Sequence, residues 1–185
     1  MAPRGHAAGF AAGAWQCQAA GHGQLGLQVH WAGQVDCVAA LPARDPLARL
    51  DRVPLAQLAG RRLITMSNPY RLRGRVDGQL LKAHLKAQDQ PAAALIETNA
   101  TLNALALVRA GLGVAVLEPL SAHGAPLQGV VLRPLDKAIP FPFGVVTPQA
   151  RPPGAAVLAF IDALREAATE LPGFVLHKTP AKKPR

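Results

Sequence analysis

Between Ala93 and Pro119 the chain runs through an apolar strand, a polar turn, an amphipathic helix, a glycine stop and a second apolar strand, an order that admits few folds. Ala93–Ile96 reads as the first strand. Thr98-Asn-Ala-Thr101 is the polar turn. Leu105 then shares one helical face with Thr101, Ala104, Val108 and Leu112. Arg109 falls in the last turn, where a cation suits the helix dipole. Gly111 stands where a helix stops, because glycine takes the left-handed cap without a Cβ clash. Val114–Leu117 is a continuous apolar run, as in a strand buried on both faces, and Glu118-Pro119 ends it. This βαβ unit predicts a parallel pair of strands with a helix on one face.

In open α/β sheets, ligands sit beyond the carboxyl ends of the strands. A helix starting there offers unpaired N–H groups and a partial positive charge. Thr98, Asn99 and Thr101 therefore have two readings. They cap the helix through their side-chain oxygens, or they hold a small anion such as a carboxylate.

Three blocks carry a resemblance. The first is Glu97-Thr-Asn99 with Leu105, Val108-Arg-Ala-Gly-Leu-Gly113 and the strand ending in Pro119. The second is Leu41-Pro-Ala-Arg-Asp-Pro-Leu-Ala48, and the third is Val53-Pro-Leu-Ala-Gln-Leu-Ala-Gly60. In order and spacing, from about Leu27 to Ala168, they resemble the effector-binding domain of LysR-type transcriptional regulators. Asp45 departs from the pattern, since that family usually has histidine there.

The resemblance implies an α/β fold of the type 2 periplasmic-binding-protein kind: Rossmann-like subdomains with mixed sheets and a small-molecule cleft between them. The first subdomain is expected to be incomplete. The half that normally supplies a serine or threonine to the cleft has no counterpart here, nor has the N-terminal winged helix-turn-helix. The implied layout is an ill-defined segment at 1–26, the remainder of the first subdomain at 27–45 and 130–170, the second subdomain at 46–129, and a basic tail at 171–185. The same resemblance places the loop holding Ser67 and Asn68 at the cleft beside Thr98, Asn99 and Thr101. It brings Phe143 toward the cleft on a returning strand, although core packing is the plainer role for a phenylalanine. The expected function is effector sensing, with a small carboxylate as ligand. DNA would be reached only through a separate N-terminal domain, and self-association is expected as in the family.

Composition narrows the alternatives. At 185 residues the chain can bury one sizeable core or two small ones. Hydrophobic residues make up 50% and charged ones 17%, so most of it should fold. Aromatics are only 4%, which argues against a base-stacking surface. The net charge of +9 invites a nucleic-acid reading. The cations are split, however, between Arg61, Arg62, Arg71, Arg73 and Arg75 and a tail with Lys178, Lys182, Lys183 and Arg185. Without a reading element, only weak, salt-sensitive binding is expected.

Cys17 and Cys37 do not form a metal or redox motif and are expected as reduced cytoplasmic thiols. The six histidines are scattered. No nucleophile–base pair, metal set, cofactor motif or phosphate loop is visible. Gly111-Leu-Gly113 follows a helix rather than a strand, so it is not a dinucleotide fingerprint, and no enzymatic activity is expected. No apolar run is long enough to span a membrane. A solute-binding protein of the same fold would call for a signal peptide, which the interrupted stretch after Met1 does not supply. A non-functional truncated remnant is the other alternative.

Along the rest of the chain, Leu27–His30 and Val35–Leu41 read as strands with a turn at Gly33, Pro54–Ala59 as a short helix, and Leu63–Met66 as a strand. Val76, Leu80, Ala83 and Ala87 give an amphipathic helix. Ser121–Gln128 reads as loose, Val130–Leu132 and Phe143–Thr147 as strands. Val157, Phe160, Ile161, Leu164 and Ala168 form the apolar face of a last helix. Residues 171–176 are a strand or a loop, and the tail from His177 is expected to be disordered.

Overall fold

The computed structural model describes residues 26–67 and 95–177, with Gly74, Val76, Gly78 and Gln79 between them. The chain divides into two compact units, one running up to Val35 and resuming at Pro142, the other Asp36–Phe141. Asn68–Tyr70, most of the helix expected from Val76, residues 1–25 and residues 178–185 lie outside the described residues, whereas 171–177 of the expected basic tail are described and include a strand. Val76 itself is helical and buried.

The second unit is a five-stranded mixed sheet. Its strands are β2 (Val38–Pro42), β3 (Leu63–Met66), β4 (Leu95–Thr98), β5 (Val114–Leu117) and β6 (Val130–Pro134), in the order β4-β3-β5-β2-β6. β3 runs parallel to β4 and β5, pairing Met66 with Thr98 and Ile64 with Ala115. β2 runs antiparallel to both neighbours, pairing Ala39 with Val116 and with Arg133. The layout expected from the resemblance put residues 27–45 and 130–170 in one subdomain. Hydrogen bonding instead draws β2 and β6 into this sheet, because their Val/Ala/Leu runs have apolar partners on both faces.

The two faces separate by strand alternation. Ala39, Leu41, Val114 and Val116 point into a core with Leu47, Val53, Leu55, Leu58, Leu135 and Ile139. Ala40, Ala115 and Leu117 point the other way, onto Ala104, Leu105 and Val108. Those three belong to α2 (Thr101–Arg109), so the helix read from the sequence is present with its expected buried face. Gly111 has φ +74°, the left-handed conformation expected for the helix stop.

Short elements complete the unit. α1 (Leu55–Ala59) starts after Pro54 as expected, and Leu55 N–H donates to Asp136 Oδ1 at 2.9 Å. A 3-10 turn, Pro46–Arg49, is capped by Asp45, whose buried carboxylate accepts Leu47 N–H at 3.0 Å and pairs with Arg61. The stretch expected to be loose after Pro119 begins with α3 (Pro119–His123).

The first unit holds a three-stranded sheet among the described residues, β7-β1-β8, made of β1 (Leu27–Asp36), β7 (Pro140–Pro148) and β8 (Val175–Leu176). α4 (Ala155–Thr169) joins it through Trp31, whose indole N–H donates to Ile161 O at 3.1 Å. Trp31, Phe143 and Phe174 form an aromatic cluster, with Trp31 edge-on to Phe143 at 5.8 Å and Phe143 5.6 Å from Phe174.

The turn expected at Gly33 does not occur: β1 runs straight through it. Gly33 is needed there for room, not for a bend. A Cβ would strike the Phe174 ring and approach Val175 O to 2.9 Å. Gly33→Ala should therefore destabilise the protein by about 1–3 kcal/mol, as overpacking does. Urea denaturation followed by tryptophan fluorescence would register the loss.

Candidate functional site

The site expected from the sequence lies where β3 and β4 end and α2 begins. Parallel pairing sets Met66 beside Thr98. One residue on, Ser67 N–H donates to Thr98 O at 2.8 Å, which fixes the two loops against each other. Ser67, Thr98, Asn99 and Thr101 thus share one rim at the carboxyl ends of the parallel strands. Ser67 and Asn99 are exposed, Thr98 and Thr101 half-buried. Asn68 lies outside the described residues. Phe143 belongs to the other unit, with its ring packed between Trp31 and Phe174.

The side-chain cap expected from Thr98, Asn99 or Thr101 is absent. The residue at the cap position is Ala100, in extended conformation, and makes no side-chain cap bond; among the described residues no side-chain oxygen accepts from the helix start. The polar groups are engaged elsewhere. Asn99 Oδ1 accepts from Asn103 Nδ2 at 3.2 Å, a bond that does not use the Asn99 amide hydrogens. Thr101 Oγ1 donates to Glu118 Oε1 at 2.8 Å. With its proton committed, the Thr101 hydroxyl faces any ligand as an acceptor only.

Glu118 is the residue that sequence reasoning missed. It reads as a strand terminator, yet its buried carboxylate caps α3 by accepting Ser121 N–H at Oε2, 3.0 Å away, while Oε1 takes the Thr101 proton. One carboxylate therefore ties the first residue of α2 to the first turn of α3. The local signal was present: an acidic residue directly before Pro119, a proline at a first helical position. The bond to Thr101 was not signalled.

Arg109, expected to act on the helix dipole, also anchors a loop. Its Nε donates to Gln128 O at 2.8 Å and its Nη2 to Pro126 O. Two displaced titrations stand out among the described residues, and neither is at the rim. Burial raises Asp36, against a lowering by Arg52, and burial lowers His177. No cluster of three metal-ligating side chains occurs among the described residues. A shallow hollow of about 340 Å³ opens at the opposite ends of β3 and β5, lined by Pro42, Asp45, Arg61, Arg62 and Gly111–Val114. It is remote from residues 98–101 and holds the helix stop and the Asp45–Arg61 pair.

A mixed sheet with one antiparallel strand set among parallel ones, helices on both faces and a polar rim defines an α/β domain of the periplasmic-binding-protein type. Residues 23–169 match the LysR substrate binding domain, and the chain belongs to that family. It is 32% identical over 126 residues to the transcriptional activator protein LysR of Escherichia coli K12, covering 68% of this chain and 39% of that protein. It is 30% identical over 135 residues to the regulatory protein NocR of Agrobacterium tumefaciens T37, covering 73% of this chain and 43% of that one. The chain thus spans less than half the length of these curated relatives. Among solved structures, the effector binding domain of QuiR in complex with shikimate superposes with a TM-score of 0.53 at 17% identity, over 80% of this chain and 68% of that one. The regulatory domain of CcmR from Synechocystis PCC6803, in complex with 2-PG, gives 0.55 at 14%, over 78% and 67%. At such identities the likeness concerns the fold. Among the described residues no helix is long and apolar enough to cross a membrane.

The Glu118 bonds are open to direct test. Glu118→Ala removes a charged acceptor from two donors and should cost about 1.5–3 kcal/mol. Thr101→Val should cost about 1 kcal/mol, the value of one such bond. Chemical denaturation of both variants would order them.

Proposed function

We propose that this chain is the effector-sensing part of a LysR-type regulator and binds a small anionic molecule, a carboxylate in the first instance, in the cleft that the resemblance implies. The observation that carries the proposal is the junction of Ser67 with Thr98 at the start of a helix that lacks a side-chain cap. The first-turn N–H groups of α2, the Asn99 amide hydrogens and the Thr98 and Ser67 hydroxyls supply donors at one rim, where the helix dipole favours negative charge. Asn68 is included in the donor set on the family resemblance alone. Thr101 serves as an acceptor held by Glu118, which suits a ligand carrying a hydroxyl beside its carboxylate. Shikimate, bound by the related QuiR domain, is such a molecule. Phe143 is assigned to the aromatic core of the other unit rather than to the ligand.

The ligand acts only through unequal affinity for two arrangements of the protein. In an intact regulator that inequality would be passed to a DNA-binding part. A solute-binding role on the same fold draws on the same rim and has no observation of its own in its favour.

A thermal-shift panel of hydroxy- and keto-carboxylates, shikimate included, tests the proposal. At a ligand concentration 100-fold above Kd, stabilisation of about 2.7 kcal/mol is expected, reduced at least tenfold in affinity by Thr98→Ala combined with Asn99→Ala. A folded sample that no member of the panel stabilises, or a shift indifferent to the double variant, would overturn it.

A further inference from the structure

The hollow at the start of β3 has no part in the rim described above. The four residues of β3 separate the two places, ~13 Å of strand. At about 340 Å³, the hollow falls in the lower part of the range for small-molecule sites, ~300–1,000 Å³. What it can hold follows from which of its polar groups are already engaged.

The acceptors named here are committed. Asp45 Oδ1 takes Leu47 N–H at 3.0 Å, and Oδ2 takes the Arg61 guanidinium. The Asp45 side chain is only 5% exposed, so little of the carboxylate faces a ligand. At the left-handed stop of α2, Val108 O accepts Gly111 N–H at 2.9 Å and Leu107 O accepts Leu112 N–H at 3.1 Å. These bonds spend carbonyls that would otherwise give the helix end its negative character. Arg62 O accepts Val114 N–H at 3.0 Å.

The donors are not committed. A guanidinium carries five N–H groups in a planar fork. Arg61 gives one nitrogen to Asp45, which anchors the group, and its side chain is still 41% exposed. Arg62 is exposed and makes no side-chain hydrogen bond or ion pair among the described residues. The lining therefore holds two cations against one anion that is already enclosed.

We propose that this hollow is a second binding site, for the phosphate group of a small phosphorylated molecule. Spent acceptors beside unspent donors select an anion. The number of forks selects which anion. A carboxylate has two oxygens and is satisfied by one guanidinium, whereas a phosphate offers three oxygens and a second charge to two of them. Arg61, held by Asp45, is the fixed half of the clamp, and Arg62 closes on the other side. Leu112, 40% exposed, gives the wall an apolar surface for the carbon body of the ligand. The inference does not rest on the effector reading, since no residue of the rim lines the hollow.

Isothermal titration of the full chain with inorganic phosphate, and separately with acetate, at constant ionic strength tests the site. Saturable binding of one phosphate per chain is expected, at least tenfold tighter than acetate. Arg62→Gln, at an exposed position with no partner to lose, should weaken phosphate at least tenfold with unchanged circular dichroism. Thr98→Ala combined with Asn99→Ala should leave phosphate binding as it is, which separates this site from the rim. A folded sample without saturable phosphate binding, acetate bound as tightly as phosphate, indifference to Arg62→Gln, or loss of phosphate binding in the rim variant would each overturn the inference.

Discussion

The rim of the second unit depends on one buried carboxylate. Glu118 closes β5, caps α3 through Ser121 N–H and takes the proton of Thr101. A charge placed out of water is tolerated only when donors surround it. Here the donors come from the starts of two helices, where the dipole also favours an anion. The arrangement settles where α2 begins relative to β5, and so where the Thr98–Thr101 turn stands. It also has a chemical effect. By consuming the Thr101 proton, it converts one hydroxyl of the rim from a donor to an acceptor. On the proposed reading the rim carries donors from the backbone, from Asn99 and from Thr98 next to one fixed acceptor, the mixture that the proposal of a hydroxylated anion rests on.

The sequence disclosed what is local. The periodicity of Ala104, Leu105 and Val108 and the glycine at 111 depend on a few neighbouring residues, and the helix with its left-handed stop is where they placed it. The apolar run Val114–Leu117 is a strand because both of its faces meet hydrocarbon, which such a run already implies. The family blocks from Leu41 to Gly113 likewise led to the correct fold, as the match over residues 23–169 shows.

What remained illegible is non-local. Gly33 resembles a turn residue in isolation. Its reason is Phe174, from the far end of the chain, whose ring occupies the space of a missing Cβ. Thr98, Asn99 and Thr101 look like caps, and any of them would serve. The cap position instead falls to Ala100, the Asn99 oxygen accepts from Asn103, and Thr101 is held by Glu118, contacts that no local pattern announces. The departure at Asp45 has a similar account. Its carboxylate holds the 3-10 turn through Leu47 N–H and reaches Arg61, a partner whose identity no local pattern announces. The last helix is present with the apolar face its periodicity gave, but only Ile161 and Ala168 of that face are buried, and Val157, Phe160 and Leu164 are exposed.

The two units also differ in how the chain builds them. Asp36–Phe141 is a continuous stretch, while the other unit is assembled from both ends. β1 waits for β8, and His177 N–H must find Ala32 O, before that sheet is closed. Contacts between such distant residues form late, because the intervening loop must be closed first. On the ribosome the five-stranded unit has all its strands before α4 has been translated. Trp31 must stay without Ile161 and Phe174 until those residues have been translated. For that interval the nascent molecule presents a finished unit flanked by parts of an unfinished one, and a chaperone that protects exposed aromatic side chains would have its substrate there.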